Sequence, residues 1–199
     1  MLPNMTKMMF LSSDKGLTWG APIILMAATV GSCEESDFCE LPNGDLFWIH
    51  RVEHYPDHQT EMPPHAAKMG SNPPESYWYS DRMQSIASKD GDTFVPGACE
   101  TAPFPHSGYP CVLGTREGII LHLATGESHW SADMGKTWNT LLAAGKAIST
   151  YYYPKAIQLA DGKILCVGHF GSDDVYGTVD QSIRLQTFHL EVRNTPKTP

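Results

Sequence analysis

Two arginines are the first residues in this chain whose chemistry and position suggest a binding site. Arg51 ends the apolar segment DLFWIHR, and Arg82 opens the segment RMQSIAS. A guanidinium fork binds a carboxylate through two parallel hydrogen bonds, so both arginines are chemically suited to an acidic ligand. Glu53 shares a strand face with Arg51, because side chains alternate along a strand. The alternative is an arginine that is solvated or ion-paired across strands.

Two Tyr-Pro pairs begin later apolar segments, and their tyrosines are Tyr109 and Tyr153. Proline is tolerated at a strand start and keeps the preceding residue extended. The repetition favours a structural role, with which exposure on a ligand face is compatible. His106 accompanies Tyr109 and is predicted to line the same face.

The polar loop GSDDVYGTVDQSI supplies two further candidates, Asp180 and Gln181. Their side chains are suited to contacts with a glycan. Alternatively, the aspartates of this loop cap its own backbone amides.

No pattern predicts a metal or another cofactor. The five cysteines show no C-x-x-C spacing, so a structural zinc site is not expected and burial as small apolar residues is favoured. Three histidines, His50, His122 and His169, follow similar turns, but they lie on separate segments and are not expected to converge.

Composition and charge exclude several classes of partner. The net charge of −8 repels a nucleic-acid backbone, and no basic cluster compensates for it. No apolar run approaches the length that spans a bilayer. Residues 1–10 lack the charged start and apolar centre of a signal peptide, so the compartment stays open, with secretion possible if the natural start lies upstream.

An eight-residue pattern, Ser-x-Asp-x-Gly-x-Thr-Trp, occurs twice. Its copies are Ser12, Asp14, Gly16, Thr18 and Trp19, and then Ser131, Asp133, Gly135, Thr137 and Trp138. The Asp side chain can accept hydrogen bonds from amides ahead of it, the Gly permits positive φ, and the Trp anchors the turn. We therefore predict two hairpin turns with buried tryptophans. A degenerate third copy comprises Ser88, Asp90, Thr93 and Phe94.

Further turns at Asn43-Gly44, Glu117-Gly118 and Asp161-Gly162 separate apolar segments and predict hairpins. No segment sustains helical periodicity, so an all-β fold with almost no helix is expected. A hairpin, a further strand, an Asp-containing turn and a last strand make a repeating unit typical of a propeller blade.

The octapeptide resembles the Asp-box of the sialidase superfamily, also called the bacterial neuraminidase repeat. The segment YPKAIQLADGKILCVGHF is similar to the closing blade of such proteins. The resemblance covers most of the chain and implies a sialidase-like β-propeller of four-stranded antiparallel blades, with the boxes at the periphery, away from the substrate face.

The resemblance also implies roles for the candidate residues. Sialidases of this superfamily bind the sugar carboxylate with three arginines and use a Tyr nucleophile, a partner Glu and an acid/base Asp. A neutral Tyr suits an anionic sugar, which would repel a carboxylate nucleophile. The implied catalytic residues are Tyr109, Tyr153 and Glu53, and the implied substrate-binding residues are Arg51, Arg82, His106, Asp180 and Gln181.

The strand count predicts about three and a half blades in a single partial domain over residues 1–199, with blades near 8–28, 36–98, 107–144 and 150–192. We expect missing N-terminal blades, or another copy of the chain, to complete the ring. The leading hypothesis is a glycoside hydrolase of the exo-α-sialidase type, or its C-terminal part, which acts on glycans and is inactive alone because early blades supply the first Arg and the acid/base Asp. The alternative is a non-catalytic propeller that binds carbohydrate or protein.

Overall fold

The computed structural model describes residues 6–26, 32–54, 67–69, 78–104, 109–170 and 182–191. Within these ranges the chain is all-β, with antiparallel sheets and no helix, as the sequence predicts. No helix long and apolar enough to cross a membrane is found there.

The described strands form four sheets that follow one another along the chain, and a fifth, two-stranded one between the third and the fourth. The first pairs β1 (Lys7–Met9) with β2 (Ile23–Met26). The second has β3 (Ser32–Glu40), β4 (Leu46–His54) and β6 (Trp78–Asp90) at its centre. Three short strands pair with β6, namely β5 (Ala67–Met69), β7 (Thr93–Pro96) and β8 (Glu100–Thr101).

The third sheet has the order β12-β11-β10-β9. Its strands are β9 (Cys111–Gly114), β10 (Ile120–Leu123), β11 (His129–Ser131) and β12 (Asn139–Thr140). A small hairpin of β13 (Leu142–Ala143) and β14 (Lys146–Ala147) follows. The fourth sheet comprises β15 (Tyr152–Gln158), β16 (Ile164–Phe170) and β17 (Ser182–Phe188).

Consecutive sheets pack face to face, and strand β4 shows why. Leu46 and Trp48 pack towards the first sheet, whereas Phe47 and Ile49 pack towards the third. Because alternate side chains point to opposite faces, a strand between two sheets is apolar on both. This accounts for the continuous apolar run in DLFWIHR. The third and fourth sheets share another core, which includes Leu121 and Cys166.

Both octapeptides form the same side-chain-stapled turn between paired strands. Asp14 Oδ1 accepts from the amide of Thr18 at 2.8 Å, and Asp14 Oδ2 accepts from the Thr18 hydroxyl at 2.6 Å. The second box repeats both distances between Asp133 and Thr137. These hydrogen bonds lower the pKa of Asp14 to about 2. The prediction of an Asp-stapled turn is therefore confirmed.

The two box tryptophans differ, and one expectation is wrong. Trp138 is partly buried against the core between the second and third sheets, and its ring centroid lies 5.8 Å from that of Phe47. Trp19 is 64% exposed. The box that holds Trp19 belongs to the first sheet. The second sheet covers the face of the third sheet that carries Trp138, whereas no described sheet covers the equivalent face of the first sheet.

Candidate functional site

Three hairpins of the second, third and fourth sheets have the same turn and so define equivalent positions. The amides of Leu41, Thr115 and Leu159 donate to the carbonyls of Asp45, Ile119 and Lys163, each at 2.8 Å. In each hairpin the glycine has a positive φ, as at Gly44, which a left-handed turn residue requires.

The residues six positions before Leu41, Thr115 and Leu159 are Glu35, Tyr109 and Tyr153. The residues four positions before them are Asp37, Cys111 and Lys155. The strand register supports this equivalence. Asp37 lies opposite Ile49, four residues after Asp45, and Lys155 lies opposite Val167, four residues after Lys163. The first strands of three sheets thus present acidic, aromatic and basic groups at matching heights, and the two Tyr-Pro pairs are equivalent, as their repetition indicates.

An ion pair joins the first strands of two sheets that are not sequence neighbours. Lys155 Nζ lies 2.8 Å from Asp37 Oδ1, and Asp37 Oδ2 accepts from the amide of Val112 at 3.0 Å. Partial burial opposes the charged form of Lys155, but the hydrogen bond and charge of Asp37 outweigh it and raise the pKa of Lys155. Strands β3, β9 and β15 therefore come together along one edge.

Aromatic rings gather beside this ion pair. Lys155 Nζ lies 4.9 Å from the centre of the Tyr109 ring, a distance at which a cation is attracted to a ring face. The rings of Tyr109 and Tyr153 have centroids 5.6 Å apart. The His169 ring stacks at 5.6 Å from both Tyr152 and Tyr153. Tyr153 is 57% exposed, so this aromatic group offers a surface to solvent.

A β-bulge explains how two consecutive tyrosines reach the same histidine. Tyr152 lies opposite His169, but the next ladder pair is Lys155 with Val167, so β15 carries one extra residue there. Tyr153 has a φ of 48°, a left-handed conformation that costs energy for a bulky residue. Lys15, Met134 and Ala144 also have positive φ, but the Tyr153 bulge combines a strained backbone with exposed aromatic rings beside an ion pair, which is why we place the candidate site here.

Gly168 makes room for this bulge. A Cβ atom at position 168 would lie 2.9 Å from both Tyr151 Cβ and the Tyr152 carbonyl oxygen. Any larger residue would therefore displace the tyrosine segment.

The arginines occupy less open positions than the sequence predicts. Arg51 Nη1 lies 2.8 Å from Glu35 Oε2 in a largely buried pair. Arg82 is fully buried, and burial lowers its pKa to about 9. In this structure the Arg82 guanidinium has no exposed surface for a ligand, and Arg51 already contacts a carboxylate.

Polar groups of the second sheet lie next to the aromatic cluster. The Tyr109 hydroxyl donates to the Ser36 carbonyl at 3.2 Å, which places it between Glu35 and Asp37 along β3. His50 is buried, with Nδ1 3.1 Å from the Ser36 hydroxyl. Burial lowers the pKa of His50 to about 4, so its ring is neutral at pH 7.

The three sequence histidines stay on separate sheets. His122 is buried against Phe104, with ring centroids 4.2 Å apart, while His169 belongs to the tyrosine cluster. In the described ranges, no group of three or more His, Cys, Asp or Glu side chains is arranged to hold a metal.

Two cavities bear on the choice of site. One of 360 Å³ lies between the first strands, with Asp37, Cys111 and Lys155 in its lining. A groove of 850 Å³ lies between the first box and the β6–β7 turn, but its charged lining consists of Lys89 and Asp92 alone. The smaller cavity adjoins the Lys155–Asp37 pair, and the tyrosine cluster lies outside its lining.

Four of the sequence candidates lie outside what the structure describes. They are His106, Asp180, Gln181 and the side chain of Glu53. Conversely, sequence reasoning missed Glu35, Asp37 and Lys155. An alignment of the three hairpins on their turn glycines would have shown that Glu35 is equivalent to the two tyrosines and that Asp37 and Lys155 follow this position by two residues.

Comparison with known proteins bears on the fold only. A scan against protein-family models finds no match, and no curated protein matches the chain. A solved structure described as an unknown-function protein from Dyadobacter fermentans DSM 18053 is similar, with a TM-score of 0.51 and 20% identity. The similarity covers 78% of this chain and 51% of that one, so the chain spans about half the length of that structure. It agrees with an all-β fold of several antiparallel sheets.

Proposed function

We propose that the chain is part of a sialidase-like Asp-box β-propeller and that its first-strand edge binds glycans. Two observations support the propeller arrangement. The four sheets pack face to face in chain order, and the Asp37–Lys155 pair draws the first strands of the second and fourth sheets together around the third. Sheets arranged radially around an axis approach each other in this way.

The observation that carries the glycan proposal is the exposed tyrosine bulge. Tyr152, Tyr153 and His169 form a stacked aromatic surface beside the charged pair of Lys155 and Asp37. Aromatic faces with polar edges suit ligands that combine apolar C–H faces with hydroxyl groups. Sugars have this character, and the strained φ of Tyr153 indicates that its orientation is maintained against a backbone cost.

The ion pairs favour neutral glycans over acidic ones. Lys155 and Arg51 each have a carboxylate at 2.8 Å. These carboxylates already neutralise part of the positive charge that would attract an anionic sugar. A hydroxyl group can instead share these groups as donors and acceptors without displacing either.

A hydrolase is the second candidate, and the place of Tyr109 favours it. Its hydroxyl lies on β3 between the positions of Glu35 and Asp37, and a neutral phenol activated by a neighbouring carboxylate is the nucleophile that the sialidase resemblance implies. On this alternative, the Tyr109 oxygen attacks the anomeric carbon while a carboxylate takes the phenolic proton, and the glycosidic C–O bond breaks. The aglycone oxygen leaves with a proton from the acid/base Asp that the resemblance assigns to an early blade, and water then displaces Tyr109 from the sugar.

Glycan-array screening followed by calorimetric titration tests the proposal. Neutral N-acetyllactosamine and its sialylated form are the matched probes. We expect the neutral probe to bind, and Tyr153→Ala to weaken binding by at least about tenfold, or about 1.4 kcal/mol. Trp19→Ala, which removes an exposed aromatic ring elsewhere, is the control and should bind as the wild type does. A chain that retains no glycan on the array contradicts the proposal.

The same proteins separate binding from catalysis. Release of fluorophore from a fluorogenic sialoside, lost in Tyr109→Phe, would support the hydrolase. Binding without turnover is expected of the non-catalytic propeller and also of a hydrolase whose first Arg and acid/base Asp lie in other blades, so only turnover decides between them.

A further inference from the structure

The two octapeptides provide an internal comparison of a covered and an uncovered sheet face. In the third sheet, the indole Nε1 of Trp138 donates to Gln84 Oε1 at 2.9 Å, and Gln84 Nε2 donates to the Gly135 carbonyl at 2.8 Å. Phe47 fills the space above Gly135, where a Cβ would lie 2.7 Å from its ring. The second sheet therefore covers this box with the face that carries Phe47, Ile49 and Gln84.

In the first sheet, no residue that the structure describes covers the same face of the box. Met9 and Leu25 pack towards the second sheet, and alternation sends Met8 and Ile24 to the other side. The two are paired there, and both are exposed. Met26, beyond the irregularity at Lys7 and Met8, also packs on the second sheet. The exposed apolar side chains of this sheet, which we call the Trp19 face, are Met8, Phe10, Trp19 and Ile24.

The fourth sheet presents the complementary face. Ile164 and Cys166 pack on the third sheet, so the alternate residues point away from it. Val167 lies opposite Leu185 in the fourth sheet, and the equivalent pair in the second sheet is Ile49 and Gln84, which belong to the face that covers the second box. The exposed aliphatic side chains of this side, which we call the Leu185 face, are Ile157, Val167, Ile183 and Leu185. The exposed Lys155 and His169 border them, opposite Val167 and Ile183. Ile183 is 69% and Leu185 66% exposed.

We propose that the Leu185 face of one copy of this chain docks on the Trp19 face of a second copy. The two faces are the two halves of a contact that the chain makes internally three times, between the first and second, second and third, and third and fourth sheets. The occupant is a second copy because each copy supplies both halves. Apolar burial drives the association, as it does within the chain.

The contact is head-to-tail, since the two faces are different surfaces. Such an interface closes into a ring when the rotation between copies allows it and otherwise extends to further copies. The docking face and the aromatic cluster lie on the same side of the fourth sheet, because His169 lies opposite Ile183. Glycan binding measured on the monomeric Trp19→Asp chain, which keeps the aromatic cluster intact, therefore tests the two proposals separately.

Single aspartate substitutions on each face test the proposal by sedimentation velocity and light scattering. We expect the wild type to associate as its concentration rises. Trp19→Asp and Leu185→Asp should each be monomeric, with association weakened by at least about tenfold, because a charge cannot be buried cheaply in an apolar contact. Both positions are exposed in the single chain, so folding should be unaffected, which circular dichroism checks.

Mixing the two variants separates head-to-tail docking from other self-association. The intact Leu185 face of the Trp19→Asp chain can still dock on the intact Trp19 face of the Leu185→Asp chain, so an equimolar mixture should form a heterodimer. Val95→Asp, at an exposed position of β7 outside both faces, is the control and should associate as the wild type does. A wild type that stays monomeric overturns the proposal. So does association that survives either single variant, and so does a mixture that stays monomeric.

Discussion

Lys155 Nζ lies 2.8 Å from Asp37 Oδ1, and this ion pair connects the first strands of the second and fourth sheets past Cys111 of the third. The three residues occupy the same position in their sheets. The pair therefore fixes how closely three sheets approach along one edge, and it forms the polar side of the proposed glycan site.

Asp37 should contribute to stability in two separable ways. It pairs with Lys155, and it accepts the amide hydrogen of Val112 at 3.0 Å. Asp37→Asn keeps an acceptor for that amide, so we expect a loss of about 1 kcal/mol, typical of a partly exposed ion pair. Asp37→Ala removes the acceptor as well and should cost about 1 to 2 kcal/mol more. Urea denaturation measures both, and equal losses would show that the amide contact adds nothing.

Gly168→Ala should be destabilising despite adding a single methyl group. The new Cβ would approach Tyr151 Cβ and the Tyr152 carbonyl to 2.9 Å, and relief requires the bulge to move. We expect a loss of about 1 to 3 kcal/mol in urea denaturation. The control is Gly20→Ala, whose Cβ would meet the Leu11 carbonyl at an ordinary 3.5 Å. Comparable losses in the two variants would show that crowding at the bulge is not the cause.

The two box tryptophans should differ sharply in their contribution to folding. Trp138 packs on Phe47 and Phe104 and donates a hydrogen bond to Gln84. Trp138→Ala should reduce the free energy of unfolding by about 3 kcal/mol. Trp19→Ala should change it by no more than about 0.5 kcal/mol, as an exposed position does. A loss at Trp19 as large as at Trp138 would contradict the structural difference, provided that both proteins are measured as monomers.

Acid should destabilise the fold through its buried histidines. Burial lowers the pKa of His50 to about 4, and it lowers the pKa of His122 well below the usual 6.5. Between pH 6.5 and 4 the unfolded chain therefore binds more protons than the folded one. The free energy of unfolding should fall as the pH drops through this window.

His122→Phe isolates part of this pH dependence. Among the described residues, neither ring nitrogen of His122 has a hydrogen-bond partner, and the ring stacks on Phe104. Phenylalanine preserves the stack and cannot be protonated, so the variant should be at least as stable at pH 7 and less sensitive to acid. Urea denaturation across the window measures this, and an unchanged slope with pH would reject the assignment.

The sequence predicts the fold well where side chains determine the backbone locally. The box at Asp133 and the hairpin at Leu41 form as expected, because hydrogen bonds to the Asp and a positive φ at glycine are encoded within a few residues. The exposure of Trp19 could not be predicted from its box, since Trp138 in the same octapeptide is partly buried. Burial depends on which sheet lies alongside, and that is a tertiary property.

The candidate site was predicted in part. Tyr109 and Tyr153 do come together, because their Tyr-Pro pairs hold the same place in equivalent sheets. The bulge at Tyr153 arises from the pairing of β15 with β16, and the burial of Arg82 arises from the packing of the second sheet. The local sequence predicts neither the bulge nor the burial, so it does not distinguish a ligand-facing residue from a structural one.

Chemical-shift mapping during a titration with N-acetyllactosamine tests the central claim most directly. The account predicts saturable shifts of the aromatic resonances of Tyr152, Tyr153 and His169, with those of Trp19 and His122 unchanged. It also predicts that the shifts disappear in Tyr153→Ala, whose other resonances keep their positions. Saturable shifts at Trp19 without any at Tyr153 and His169, or no shifts at all, would contradict the proposal that the tyrosine bulge is a glycan-binding surface.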